Sequence, residues 1–132
     1  MFTLEQVKKA HSNIKSGLDF PSYIQEIKEL GVLKYIRYVS DGHTDYFGNN
    51  DFQLSSPDKY EGLPVADEAN IEQFKADLKE HQTGKTDYPT FFSQCAKNGI
   101  GKWEVDTHKM SCTYFDKAGN EVLIEFIPEA SR

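Results

Sequence analysis

Apolar residues recur at the three- and four-residue spacing of an amphipathic helix in four segments of the chain. Thr3 and Asn70 precede two of these segments, and a glutamine three residues after each predicts a capping box at the helix start. Asp19 and Asp87 precede the other two, each with a proline in the predicted first turn, where its missing N–H costs nothing. The predicted helices end at glycines, which favour the left-handed conformation common there. These are Gly17, Gly31, Gly84 and Gly99.

Stretches rich in β-branched and aromatic residues follow each pair of predicted helices and indicate β-strands. Turn-forming residues such as Asp41, Gly42 and Asn120 separate these stretches. The predicted strands are 33–39, 44–47, 51–54, 102–107, 111–115 and 121–127. Each half of the chain therefore predicts two helices followed by a β-meander. The fold class is α+β, with antiparallel strands in one shared sheet or two short sheets, and four helices packed on one face.

The two halves of the chain resemble each other at a nearly constant offset. The residues of 4–8 match those of 71–75 in chemical type and order, and similar matches follow through both helices and two strands. This pattern predicts an internal duplication with pseudo-repeats at about 3–54 and 70–127. The connector 55–69 has no clear period and contains two of the prolines, so we expect it to run along the surface between the halves.

Length and composition restrict the class of protein. The 132 residues fit a single domain over 1–132, and a net charge of −6 argues against a general binder of nucleic-acid phosphates. No apolar run is long enough to predict a membrane span, and the first residues do not have the pattern of a signal peptide. Cys95 and Cys112 lack metal-ligand spacing, so we expect free thiols in a reducing cytoplasm, with no metal and no cofactor.

Polar candidates for a binding site fall in three places along the chain. Asp41 and His43 lie in the densest polar cluster, where a carboxylate, an imidazole and hydroxyls could form a catalytic set, although a tight turn also favours these residues. His81 lies on a mostly apolar helix face, as a core-margin histidine or as a ligand in a groove between the halves. Cys112 lies on a predicted strand and would need a basic neighbour to be reactive.

Aromatic residues form the second class of candidates. The Ile36 and Tyr38 face of the first half corresponds to Glu104 and Asp106 in the second, so one half is expected to present an apolar face where the other presents carboxylates. That face is a candidate contact between halves, partner site or dimer interface, or ordinary core packing. The candidate ligand- or partner-binding residues are Tyr38, Asp41, His43, Tyr46, His81, Trp103 and Cys112. No catalytic residue is assigned.

Several short motifs together resemble a known family. They are Ser40-Asp41-Gly42-His43-Thr44 with Tyr46 and Gly48, His81-Gln82 with Gly84, Thr86-Asp87-Tyr88, Lys102-Trp103 with Val105-Asp106, and Cys112-Thr113-Tyr114. With these motifs the chain resembles the YdfO-like family of small bacterial and prophage-encoded proteins, sometimes labelled "phage envelope protein". The resemblance spans nearly the whole chain and implies a compact α+β fold, a bacterial or prophage origin and no established activity.

Two functional hypotheses remain open. The first is a non-catalytic cytoplasmic module that binds a protein partner or itself. The second is an enzyme or small-molecule binder that uses a groove between the repeats. A regulator that contacts DNA would require a basic stripe, and Lys8, Lys9 and Lys15 provide only a thin one. Neither membrane nor nucleic acid is an expected partner.

Overall fold

The computed structural model describes residues 2–12, 19–60 and 62–127. Within these ranges four helices and six strands alternate in the order two helices, three strands, two helices, three strands. The helices are α1 (Leu4–His11), α2 (Phe20–Leu30), α3 (Ile71–Gln82) and α4 (Tyr88–Lys97). The strands are β1 (Lys34–Tyr38), β2 (Thr44–Phe47), β3 (Gln53–Ser55), β4 (Ile100–Asp106), β5 (Ser111–Asp116) and β6 (Glu121–Phe126). The predicted α+β class is therefore confirmed.

All six strands form one antiparallel sheet in the order β3-β2-β1-β4-β5-β6. β1 and β4 lie at its centre, where Tyr35 pairs with Val105 and Arg37 pairs with Trp103. The sequence left one shared sheet and two separate sheets open, and this central pairing answers that question. The first strand of each half contacts the first strand of the other, so the two β-meanders extend outwards from the middle.

The starts of α1 and α3 differ although their sequences are alike. Thr3 and Gln6 form the predicted capping box, with Gln6 N donating to Thr3 Oγ1 at 3.2 Å and Thr3 N donating to Gln6 Oε1 at 2.9 Å. Asn70 also caps its helix, but the Gln73 side chain donates to Asp77 Oδ1 at 3.0 Å. A carboxylate one turn away is a stronger acceptor for that amide, so the second predicted box is only half formed.

The starts of α2 and α4 also differ. Asp87 has an extended backbone and accepts a hydrogen bond from Thr90 N at 2.9 Å, as predicted. The predicted capping role of Asp19 is wrong, because its backbone is already helical (φ −88°, ψ −4°) and its side chain makes no capping bond. A capping side chain reaches back to the helix only from an extended backbone.

The connector packs against the end of α4. Ala66 N donates to Ala96 O at 2.9 Å, and a Cβ placed on Gly99 would lie 2.4 Å from Glu68 O. Gly99 has a φ of +79°, so both its left-handed backbone and the close approach of the connector require glycine. The predicted role of Gly17 lies outside the described residues.

The core lies on one face of the sheet, where buried strand residues contact side chains from the helices. Ring centroids of Tyr23 and Tyr35 lie 6.5 Å apart, and those of Phe91 and Trp103 lie 5.7 Å apart. Val105 is fully buried on this face, between its strand partners Tyr35 on β1 and Cys112 on β5. As predicted, Trp103 and Val105 alternate with the more exposed residues of β4.

The opposite face of the sheet is mixed rather than divided into an apolar half and an acidic half. Ile36 does pair with Glu104, but Lys34 Nζ lies 3.3 Å from Glu104 Oε1 and 5.1 Å from the centroid of the Phe47 ring. Ile36 and Tyr38 do share the more exposed face of β1, but lysines from both central strands also lie on this face, so it is not purely apolar. In the described residues, no helix is long and apolar enough to cross a membrane.

Candidate functional site

A cavity of about 360 Å³ lies between the buried face of the sheet and the helices. The start of α2, the end of α3, the start of α4 and strands β4, β5 and β6 contribute its walls. Aromatic residues form nearly half of the lining. The aromatic residues around it are Phe20, Tyr88, Phe91, Trp103, Tyr114 and Phe126. Because both the first half and the second half of the chain supply lining residues, the cavity lies where the halves meet.

Trp103 forms part of the cavity wall and is the single tryptophan of the chain. Its side chain is buried, with a stacked contact to Phe92 at 5.6 Å and an interplanar angle of 20°. Phe91 contacts it from the cavity side of α4, at 5.7 Å. These contacts fix the indole at the wall, where its fluorescence would respond to a bound molecule.

His81 contributes a fixed polar atom to this apolar lining. Its ring stacks on Phe91 with centroids 4.1 Å apart, and Nδ1 lies 3.2 Å from the carbonyl oxygen of Thr86. Nδ1 also lies 3.1 Å from Thr86 Oγ1. A proton on Nδ1 suits both contacts, because a carbonyl only accepts and a hydroxyl can accept, and this tautomer leaves Nε2 as an acceptor. Burial lowers the pKa of His81, which favours the neutral ring.

The thiol in the cavity is protonated. Cys112 lies opposite Val105 on β4 and Glu125 on β6, with 4% of its surface exposed. Burial raises the pKa of its thiol to about 12, so the nucleophilic thiolate is scarce at neutral pH. Burial also raises the pKa of the Tyr114 phenol well above its usual value. The inner lining therefore presents neutral groups.

One carboxylate lines the cavity near the end of α3. Gln82 Nε2 donates to Glu125 Oε1 at 2.7 Å, which joins α3 to β6 across the cavity. Gln82 is exposed and Glu125 half-buried, so this pair lies on the solvent side of the aromatic lining. Phe126, also part of the lining, is 75% exposed. These three residues mark the entrance.

The polar cluster of the β1–β2 hairpin is a separate site, since none of its residues lines the cavity. Asp41 Oδ1 lies 2.6 Å from His43 Nδ1 and accepts from His43 N at 2.9 Å, while Tyr38 stacks on the imidazole at 4.3 Å. Burial opposes ionisation of Asp41, but the hydrogen bonds from His43 outweigh it and lower the pKa of the carboxyl. These hydrogen bonds from His43 to Asp41 stabilise the turn, because an Asp side chain commonly accepts from the backbone two residues on in a tight turn.

The group of described residues best placed for a cation combines two residues of this hairpin with Asp58, which follows β3. Asp41, His43 and Asp58 each offer one ligand atom, and these atoms lie within 4.8 Å of one another. However, His43 Nδ1 is already bonded to Asp41, and Asp58 is exposed. The contacts are those of a hydrogen-bonded turn, and the chemistry of this donor set does not require a metal.

The structure separates the predicted site residues into three groups. His81, Trp103 and Cys112 line the cavity. Tyr38, Asp41 and His43 form the hairpin cluster. Tyr46 lies in the core, 5.7 Å from Tyr35 between ring centroids. In the described residues, His81 and Cys112 share no hydrogen bond.

Several residues of the cavity and of the core were not predicted from the sequence. Gln82, Glu125 and Tyr88 line the cavity, and nothing in their local patterns distinguishes them from surface or core residues. Arg37 is 4% exposed, although arginine is normally a surface residue. Strict alternation along β1 could have found it, because Arg37 lies two residues from buried Tyr35 on the same face.

Comparison with known families gives one match. The family described as "Protein of unknown function (DUF1398)" matches residues 8–126, which is most of the chain. No curated protein matches the chain significantly. The match agrees with the expectation of an uncharacterised family and assigns no activity.

Proposed function

The chain belongs to the DUF1398 family of unknown function, and we propose that it binds a small, largely apolar organic molecule in the cavity beside Trp103. The observation that carries this proposal is the cavity itself. Its volume of about 360 Å³ falls within the range of roughly 300–1,000 Å³ common for small-molecule sites. Like those sites, it has an aromatic lining and few polar groups, among them His81 and Cys112.

The protonation states of the lining side chains indicate the charge and the hydrogen-bonding groups of the ligand. A neutral imidazole with Nε2 as acceptor and a protonated thiol favour an uncharged molecule with one hydrogen-bond donor. A charged group inside the aromatic lining would lose its hydration without a buried counter-ion. Glu125 near the entrance further disfavours an anion. Binding without chemical change is the simplest role for such a site, because Cys112 is not activated as a nucleophile.

A fluorescence titration tests this proposal. The neutral fluorophore N-phenyl-1-naphthylamine accepts energy from tryptophan, and Trp103 lies in the cavity wall. We expect one probe per chain, with quenching of Trp103 and sensitised emission from the probe. Gln82→Phe places a ring at the entrance and should weaken binding by at least about tenfold. Lys79→Phe, at an exposed position on the same helix away from the cavity, should leave binding unchanged.

Each outcome of the titration decides between alternatives. Equal binding by Gln82→Phe, Lys79→Phe and the unmodified chain would place the probe elsewhere and refute the proposal. A probe that binds without energy transfer would also refute it. Thermal unfolding of both variants shows whether a loss of binding is a loss of fold.

Association with a protein partner, or self-association, is the second proposal. It is supported by Ile124 and Phe126 on β6, which are 46% and 75% exposed and lie on an edge strand of the sheet. Edge strands with exposed apolar residues are common sites of strand pairing. Light scattering at increasing concentration tests self-association: a dimer lost in Phe126→Lys supports it, and a monomer at all concentrations refutes it.

The origin of the fold is a further proposal. We infer an internal duplication of a helix–helix–β-meander unit, with its helices on one face of the sheet. It is supported by the repeated order of elements and by the mirrored strand order about β1 and β4. Superposition of 19–55 on 87–126 tests it, since unlike paths of the two segments would refute it. The YdfO-like label, a prophage origin and a cytoplasmic location remain proposals, the last supported by two free, buried cysteines.

A further inference from the structure

Arg37 is a buried cation without an acidic partner. The residue is 4% exposed, and its Nε donates to Thr44 Oγ1 at 2.9 Å. Within the described ranges, no carboxylate lies close enough to form an ion pair with it. A guanidinium has four further N–H groups on its terminal nitrogens. A buried charge with unused donors is costly, so such groups are normally paired.

Two further polar atoms beside Arg37 lack partners. The Nε2 atom of His11 and the hydroxyl of Tyr23 are buried, and neither forms a hydrogen bond with the described residues. The two rings are in edge contact at 5.4 Å. His11 also contacts Tyr88 at 5.5 Å, and the guanidinium lies 5.9 Å from the Tyr35 ring. One region thus holds two buried polar atoms without a partner, beside a guanidinium whose one hydrogen bond among the described residues is to Thr44.

The electrostatic potential of this region is positive. Burial, and then the charges of Arg37 and Lys59, lower the pKa of His11 to about 4. Burial, and then the charges of Arg37 and Lys8, lower the pKa of Lys59 to about 8. The charge of Arg37 thus disfavours the charged forms of His11 and Lys59, while, against the effect of burial, the surrounding tyrosines raise the pKa of Arg37 itself. This is unusual in a chain whose net charge is −6, and an anion would relieve it.

We propose that Arg37, His11 and Tyr23 form a binding site for the carboxylate of a small organic acid. The two terminal nitrogens of Arg37 present a planar fork that matches the two oxygens of a carboxylate. The Tyr23 hydroxyl donates a further hydrogen bond, and the neutral His11 ring donates one in the tautomer that carries the proton on the unpartnered Nε2.

Charge balance favours a carboxylate over a phosphate dianion. Arg37 contributes the one permanent buried charge of the site, since the lowered pKa of His11 keeps its ring neutral. A single negative charge therefore neutralises the buried charge, whereas a second one would be balanced only by Lys59, whose side chain is exposed. The surrounding phenol rings suit the apolar body of an organic acid. The site does not depend on the cavity, although Tyr88 contacts His11 and also lines the cavity.

Calorimetric titration at pH 7 and low salt, with benzoate as the probe, tests the proposal. We expect one benzoate per chain, and binding of inorganic phosphate that is weaker by at least about tenfold. Arg37→Met should weaken benzoate binding by at least about tenfold, because charged hydrogen bonds are lost. Arg37→Lys should give an intermediate loss, since the charge remains and the fork is removed. Lys102→Met removes an exposed charge from the other face of the sheet and should change nothing.

Tyr23→Phe keeps the test decisive if an Arg37 variant fails to fold. It removes only an unpartnered hydroxyl, so the protein should stay folded while benzoate binding falls several-fold. The proposal is overturned by no benzoate binding, by tighter binding of phosphate, or by equal binding in Tyr23→Phe and the unmodified chain. Loss of benzoate binding in Gln82→Phe but not in Arg37→Met would assign the acid to the cavity and also overturn it.

Discussion

Two tyrosines allow a direct test of which buried hydroxyls have a hydrogen-bond partner. The Tyr23 hydroxyl is buried without a hydrogen-bond partner among the described residues, whereas the Tyr60 hydroxyl donates to the carbonyl oxygen of Val39. Replacing either tyrosine with phenylalanine removes one oxygen atom and leaves the ring. The same chemical change should therefore have opposite effects on the free energy of unfolding.

The expected magnitudes follow from the fate of each hydroxyl. A buried polar group without a partner costs about 1–3 kcal/mol, so Tyr23→Phe should stabilise the protein by about 1 kcal/mol. For a chain of this size, that raises the melting temperature by about 4 °C. Tyr60→Phe loses a hydrogen bond and leaves the carbonyl of fully buried Val39 without that donor, so it should cost about 1–2 kcal/mol.

Urea unfolding followed by Trp103 fluorescence measures both changes, because this residue is the single tryptophan and is buried. Equal slopes of the free energy against urea concentration would show that the unfolded states are comparable. If Tyr23→Phe destabilises the protein as much as Tyr60→Phe, the Tyr23 hydroxyl has a partner, for instance the neighbouring Tyr46 phenol. The Tyr23 hydroxyl would then not be an unpaired donor beside Arg37.

Three further outcomes follow from burial and backbone geometry. Cys95 and Cys112 should not react with a thiol reagent at pH 8 until the protein is unfolded, because burial raises both pKa values; rapid reaction of the native protein would contradict this. Gly99→Ala should lower the unfolding free energy by about 3 kcal/mol, whereas Gly62→Ala, with open space around it, should be nearly neutral; similar values would refute the steric argument. Since the folded pKa of His11 is about 4 and the unfolded value is near 6.5, its contribution is complete above pH 6.5 and is lost as pH falls towards 4. His11→Leu should therefore reduce the acid loss of melting temperature, and an unchanged pH profile would contradict this.

Local signals in the sequence were enough to predict most of the elements. Thr3 and Asp87 cap the predicted helices because their capping bonds reach only two or three residues along the chain. β2 has the predicted bounds because turn residues enclose it on both sides. Asp19 shows the limit of this reasoning, since the same residue type before a proline adopts a helical backbone there.

The site depends on contacts between distant residues, which local patterns do not contain. The central pairing of β1 with β4 brings Arg37 beside Trp103, and no local pattern specifies that neighbour. His81 and Cys112 were candidates from the sequence. They line one cavity only because α3 packs over the face of the sheet on which Cys112 of β5 lies. Ile36 and Tyr38 do not reveal Arg37, because they lie on the opposite face of β1, whereas alternation from Tyr35 places Arg37 inside.

A crystal structure of the protein with N-phenyl-1-naphthylamine bound would test the central proposal most directly. We predict that the rings of the probe lie against the Trp103 indole, within van der Waals contact of Phe91 and Tyr88 and inside the entrance formed by Gln82. Electron density for the probe on the exposed face of the sheet, with side chains closing the space beside Trp103, would contradict it.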